Sequence, residues 1–262
     1  MARVAVAATA PFGSDVLERL APKHEIAYVL TRPDRPRGRG RRVAPPPAKE
    51  TAERLRLPVR QPDRVDDFDP EVEKIVAVGY GVLVPEPVLQ RALWLNVHPS
   101  LLPRWRGAAP VERALMAGDE ETGVTIIRLV KELDAGPIAA QRAFAIGPDD
   151  DAGAVYRKAA ELAAELLDDV LAGEPDWRPQ EGEPTYAAKI GPADRQLDLS
   201  RPADALNRIR ALSPHIGARA ELHGRPVTIW TARLDDGRLV PVEVQPEGRR
   251  RMSYEEFLRG LR

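Results

Sequence analysis

The stretch RVAVAATAPFGSDVLERLAPKHEIAYVLT, residues 3–31, decides the fold. RVAVAA (3–8) is an unbroken run of small and branched apolar residues, the pattern of a strand buried on both faces. SDVLERLA (14–21) returns to helical spacing, with Ser14 in the place of an N-cap. EIAYVLT (25–31) is a second apolar run. Strand, helix and strand in this order predict two parallel strands joined by a crossover helix, hence an α/β sheet.

Working outward, the pattern repeats. Helices are expected at 47–57, 85–93, 109–118 and 151–173, with Gly118 as a C-cap. Strands are expected in PVRQP, in VEKIVAVGYG (72–81) and in WLNVHP (94–99). Residues 122–146 alternate as two strands about a turn at Asp134–Pro137. RPDRPRGRGRRVAPPP, after the second strand, is too rich in Pro, Gly and Arg for a regular element and is expected as an exposed loop. The polar, Pro-rich EPDWRPQEGEPT (174–185) is the expected linker. It separates a first domain, 1–173, from a small β-rich domain, 186–262, that ends in a basic turn and a short helix.

Composition excludes several classes. The chain has 262 residues, no cysteine and four histidines without ligand spacing, so neither a thiol nucleophile nor a metal site is expected. No apolar run reaches the roughly 20 residues of a membrane span, and the compartment expected is the cytoplasm. Net charge is −1, yet charge is unevenly placed. Arg32, Arg35, Arg37, Arg39, Arg41 and Arg42 face one acid, Asp34, and from Pro184 onward 14 Lys/Arg face 10 Asp/Glu. Two basic surfaces on a nearly neutral protein suit a polyanionic partner.

The candidate chemistry lies in LNVHPSLLPRWRGAAP, residues 95–110. Asn96 and His98 are two apart on one strand and leave the same face. Pro99 ends that strand, which puts both at its carboxyl end, where open α/β sheets bind ligands. Asp134, on the later turn, is able to return to the same point. Asn as donor to a developing oxyanion, His as donor or shuttle and Asp as orienting group or base suit acyl transfer. No Ser or Thr is clearly paired with a base, which favours direct transfer to an incoming amine. By residue type alone the bland alternatives stay open: a satisfied structural histidine, a turn-capping asparagine, a turn aspartate and solvated arginines.

NVHPSLLPRWRGAAP followed by LDAGP resembles the folate-dependent formyltransferases. TRPDRPRGRGRR, GYGVLVPEPVL, HGRPVTIWTA and QPEGRRRMSYEEFL extend the similarity from about residue 3 to the C-terminus and point to the branch that acts on methionyl-tRNA. The resemblance implies a Rossmann-like catalytic domain with a parallel-rich central sheet, followed by a truncated OB-like barrel. It implies Asn96, His98 and Asp134 as catalytic residues and 10-formyltetrahydrofolate as co-substrate. Ser100, Leu101, Leu102 and Pro103 would shape the active-site loop. Gly81, Val82, Leu83, Val84, Asp134, Ala135, Gly136 and Pro137 would line the pterin pocket. Arg35, Arg37, Arg39, Arg41, Arg42, Arg249, Arg250 and Arg251 would contact tRNA. The family expectation is a monomer that takes initiator methionyl-tRNA and needs no metal; the sibling branch formylates sugar nucleotides. Two places depart from the family pattern. Ala8 and Ala10 stand where Gly and Pro are usual, and only RLDDGRLVP separates two C-terminal segments that further strands usually part.

Overall fold

A computed structural model describes residues 1–37, 42–66 and 68–261. In chain order the elements are β1 (Arg3–Ala8), α1 (Pro11–Leu20), β2 (Glu25–Leu30), β3 (Arg35–Arg37), β4 (Arg42–Ala44), α2 (Pro47–Arg54), β5 (Val59–Arg60), β6 (Lys74–Val78), α3 (Glu86–Leu89) and β7 (Leu93–His98). There follow β8 (Arg106–Gly107), α4 (Pro110–Ala117), β9 (Glu121–Arg128), β10 (Ile138–Ala145), α5 (Ala152–Leu171), β11 (Tyr186–Ala187) and a 3-10 turn at Ala193–Arg195. The chain closes with α6 (Pro202–Leu212), β12 (Ala218–Leu222), β13 (Arg225–Asp235), β14 (Arg238–Pro246), β15 (Met252–Ser253) and α7 (Tyr254–Arg259).

The chain forms two compact units, one of Met1–Arg106, Gly123–Ala143 and Arg157–Pro184, the other of Gly107–Thr122, Phe144–Tyr156 and Thr185–Arg262. The first unit carries a seven-stranded sheet in the order β10-β9-β7-β6-β1-β2-β5. β1 pairs in parallel with both β2 and β6, and β6 in parallel with β7, so the crossover expected from residues 3–31 is present. β7 pairs antiparallel with β9, where the later hairpin joins the sheet. Alternate residues face one core containing Ala5, Ala7, Tyr28, Leu30, Ile75, Ala77 and Trp94. Burying such side chains contributes about 1.5–3 kcal/mol for each large one.

Two local readings are corrected. α1 begins at Pro11 rather than after Ser14; Ala10 is its N-cap residue, and Ser14 is buried inside the helix. Proline fixes φ for a first helical turn and has no N–H to leave unpaired, so Pro11 is the stronger start signal. The arginine-rich segment is not wholly irregular either. β3 and β4 pair antiparallel, Arg35 opposite Ala44 and Pro36 opposite Val43. Arg39 and Arg41 lie outside the described residues.

In the second unit β12, β13, β14 and β15 form a four-stranded sheet with antiparallel neighbours, the small β-rich portion expected at the C-terminus. Its core joins Ile209 and Leu212 of α6 to Val227, Ile229, Val244 and Phe257. A second cluster packs α4 residues Val111 and Leu115 on Ile146, Val155 and Ala211. Gly118 ends α4 with φ of 75°, a left-handed C-cap that glycine adopts without a Cβ penalty. No helix among the described residues is long and apolar enough to cross a membrane.

Candidate active site

β7 delivers Asn96 and His98 to the carboxyl edge of the sheet, and the turn between β9 and β10 returns Asp134 to them. Asn96 Nδ2 donates to Asp134 Oδ1 at 3.2 Å, and Asp134 Oδ2 lies 3.6 Å from His98 Nδ1. The His98 and Asp134 side chains are only 5% and 11% exposed, so water screens this contact weakly. The other ring nitrogen, Nε2, lies 2.8 Å from the carbonyl oxygen of Trp105. A carbonyl only accepts, so Nε2 carries a hydrogen and Nδ1 is left facing the carboxylate.

The chain reaches Trp105 through a tight return loop. Ser100 is fully buried; its N–H donates to His98 O at 2.9 Å and its Oγ to Arg104 O at 2.7 Å. Thr125, opposite His98 in the β7–β9 register, donates from Oγ1 to Ser100 O at 2.6 Å and accepts from Leu102 N at 3.2 Å. Gln141 Nε2 donates to Thr125 Oγ1 at 2.8 Å and to Leu102 O at 2.9 Å. Leu102–Pro103 is a cis peptide, and Leu102 packs on Ile127 and Ile138. Residues 100–103 are therefore held by hydrogen bonds and packing from β9 and β10.

The Asp134 turn is constrained as closely. Asp134 has φ of 47°, a left-handed conformation that few side chains adopt. At Gly136 a Cβ would sit 1.8 Å from the carbonyl oxygen of Arg128, so only glycine fits there. The second stretch named for the pterin, residues 81–84, follows β6, the parallel neighbour of β7. Gly81 has φ of +67°, and its carbonyl accepts a hydrogen bond from Arg32. Val84 belongs to the core, whereas Leu83 is 84% exposed. Tyr80, buried just before this stretch, has its phenol pushed up to about 12 by burial.

The arginines divide into separate settings. Arg35 is exposed on β3, and for Arg37 and Arg42 only their place in the β3–β4 pairing is described. At the base of that hairpin Asp34 accepts from Lys49 Nζ at 2.8 and 3.0 Å and from Gln61 at 2.8 Å. The bonds from Gln61, then Lys49, hold its carboxyl below the usual range. In the second unit Arg249 is exposed, and Arg250 pairs with Glu256 at 2.8 Å. Arg251 stacks 3.4 Å above the Trp230 ring and donates to Pro214 O. A surface hollow lined by Arg60, Arg64, Phe68 and Glu71 lies at the β5 edge, four strands from β7, and holds none of the candidate residues. His24 is buried and structural, bonded to Ala2 N and Asp168.

Thr125, Gln141, Arg106, Gln180 and the Trp105 carbonyl were not singled out from the sequence. Only Thr125 left a signal, as the lone hydroxyl in the apolar run VTII.

Comparison with known proteins fits this architecture. A family model described as formyl transferase matches residues 2–171. The chain belongs to the formyl transferase family. This formyltransferase is 39% identical to the methionyl-tRNA formyltransferase of Methylococcus capsulatus over 297 aligned positions, which cover 98% of this chain and 96% of the relative. It is 38% identical to that of Paracoccus denitrificans, over 99% of this chain and 97% of the relative. The first alignment is longer than the 262-residue chain, so stretches of the relative have no counterpart here. Among solved structures, the methionyl-tRNA formyltransferase of Clostridium thermocellum superposes with a TM-score of 0.67 at 17% identity, covering 94% of this chain and 99% of that one. HypX from Aquifex aeolicus in complex with tetrahydrofolic acid gives 0.70 at 17% identity, covering 98% of this chain and 46% of that one. At these identities the two structures attest the fold.

Proposed function

We propose that this formyltransferase moves the formyl group of 10-formyltetrahydrofolate onto the α-amine of initiator methionyl-tRNA, with Asn96, His98 and Asp134 carrying the chemistry. The observation that bears most of the weight is their convergence at the end of β7, with Asp134 between an amide donor and an imidazole. Near full-length identity to enzymes named for methionyl-tRNA selects the acceptor over a sugar nucleotide.

The residues suit a flat folate ring. Leu83 and Leu133 are 84% and 61% exposed, one on or beside each of the two stretches assigned to the pterin. The faces of a flat ring give such side chains something to cover. When bound, the folate supplies an activated formyl carbon. The protein's share of the chemistry then falls to three groups. Asn96 has two amide hydrogens, one spent on Asp134, and the other is available to the formyl oxygen. His98 has Nε2 committed to Trp105, so it reaches substrate only through Nδ1. With Nε2 already carrying a hydrogen, donation from Nδ1 requires the imidazolium, and Asp134 Oδ2 lies 3.6 Å from that nitrogen. Asp134 accepts the proton that the amine releases as the new C–N bond forms, directly or through water, and returns it to the nitrogen that loses the formyl group.

In this reading residues 1–173 are the catalytic domain, 174–185 the linker and 186–262 the tRNA-contacting domain, acting as a monomer in the cytoplasm. Ser100, Leu101, Leu102 and Pro103 shape the active-site loop, and Gly81–Val84 with Asp134–Pro137 line the pterin pocket. The arginines at 35, 37, 39, 41 and 42 and at 249–251 hold tRNA phosphates by charge. The test is formyl transfer from 10-formyltetrahydrofolate to charged initiator tRNA, with free methionine and a UDP-amino sugar as parallel acceptors. Turnover on the charged tRNA alone is expected. Turnover only on the sugar would refute the acceptor, and none on any amine would refute the activity.

A further inference from the structure

Gln180 lies in the Pro-rich connector, a segment that gave no chemical signal as sequence. Its side chain makes four hydrogen bonds inside the first unit. Nε2 donates to the carbonyl oxygens of Asp134, at 2.7 Å, and Gly136, at 2.9 Å. Oε1 accepts from Arg106 Nε at 3.1 Å and Nη2 at 2.6 Å. Chemistry fixes the amide orientation, because a guanidinium only donates and the two carbonyls only accept. The backbone nearby is anchored as well. Ile138 N donates to Arg178 O at 2.7 Å and Arg178 N to Ile138 O at 2.9 Å, pinning the connector two residues from Gln180 to the start of β10.

The turn that Gln180 grips carries backbone strain. Asp134 stands at φ of 47°, and Gly136 is pressed against Arg128 O on one side. A left-handed aspartate persists only where its surroundings over-determine it. Gln180 ties down the carbonyls on either side of Ala135, and the direction of the Asp134 carboxylate toward Asn96 and His98 follows from that backbone. We propose that Gln180, oriented by Arg106, is a positioning residue that sets the Asp134 carboxylate for formyl transfer. The proposal rests on the catalytic role assigned to Asp134 above.

The test replaces Gln180 by Met, which keeps length and volume and removes all four bonds, and compares it with Gln180→Glu. Glutamate still accepts from Arg106 but no longer donates to the turn, so it isolates the brace should Gln180→Met fold poorly. For both, kcat on methionyl-tRNA falls roughly 10- to 100-fold, while KM for tRNA stays within about twofold. In an Asp134→Ala background Gln180→Met causes no further loss, since it acts through a group already gone. Amide hydrogen exchange across residues 129–137 quickens in the variants, whereas exchange in β6 and β7 does not. Unchanged kcat, an equal loss in both backgrounds, or unchanged exchange in the turn would overturn the proposal. Absence of formylation by the parent protein would instead overturn the functional reading, and the exchange measurement would still decide the brace.

Discussion

His98 Nδ1 and Asp134 Oδ2 face each other at 3.6 Å, with the opposite ring nitrogen of His98 held by the Trp105 carbonyl at 2.8 Å. Because the carbonyl takes the Nε2 hydrogen, the ring is oriented with its second nitrogen toward the carboxylate. The proton-handling role proposed for His98 rests on that relationship, since a histidine at a strand end is by itself an ordinary structural feature.

Thr125 holds the return loop that carries the Trp105 carbonyl. Thr125→Val keeps the shape and removes the hydroxyl that serves Ser100 O, Leu102 N and Gln141 Nε2. Buried partners left unpaired cost about 1–3 kcal/mol. Denaturant unfolding should show that loss, and kcat should fall with it. A variant as stable as the parent would show that the loop is held by other contacts.

Gly136→Ala tests the turn itself. Its Cβ would meet Arg128 O at 1.8 Å, so the turn must move. Overpacking of this kind typically costs about 1–3 kcal/mol. Because Asp134 moves with the turn, kcat is expected to drop more than folate affinity, as steady-state kinetics beside folate titration would reveal.

Asp34 anchors the arginine hairpin through Lys49 and Gln61. Asp34→Ala should leave the melting temperature nearly unchanged, since the pair is partly exposed and screened. The KM for methionyl-tRNA should rise severalfold without change in kcat, and the effect should shrink in high salt. Equal KM values at low salt would remove the hairpin from tRNA binding.

Glu112 gives a pH-dependent stability. Burial holds its carboxyl above the ordinary 4.5, and Tyr156 OH donates to it at 3.1 Å. The folded state binds this proton more tightly than the unfolded chain. The stabilisation is therefore complete below 4.5 and declines as pH rises through the raised folded value. Glu112→Gln keeps the acceptor for Tyr156 without the charge. It should melt at higher temperature than the parent at pH 8, with the advantage gone near pH 4, in thermal scans at the two pH values.

Much of this was legible in residues 3–31 and 95–110, where apolar runs imply parallel strands about a crossover helix and Pro99 marks the end of β7. The site was legible in part. Asn96 and His98 share a face by strand periodicity, and Asp134 falls in a turn marked by its own Gly and Pro. What stayed hidden depends on tertiary return. The Trp105 carbonyl has no side-chain signature, and Gln180 looks like any polar residue of a connector until Arg106 and the Asp134 turn meet it. Ser14 misled because its capping chemistry was plausible, while Pro11 set the helix start by backbone geometry.

His98→Ala measured in single turnover tests the proposed chemistry most directly. With 10-formyltetrahydrofolate and methionyl-tRNA both bound, the rate of formyl transfer should fall by about 10²-fold or more, and folate affinity should remain close to the parent's. Transfer at near-parental rate in that variant would contradict the assignment of the chemistry to His98 and Asp134.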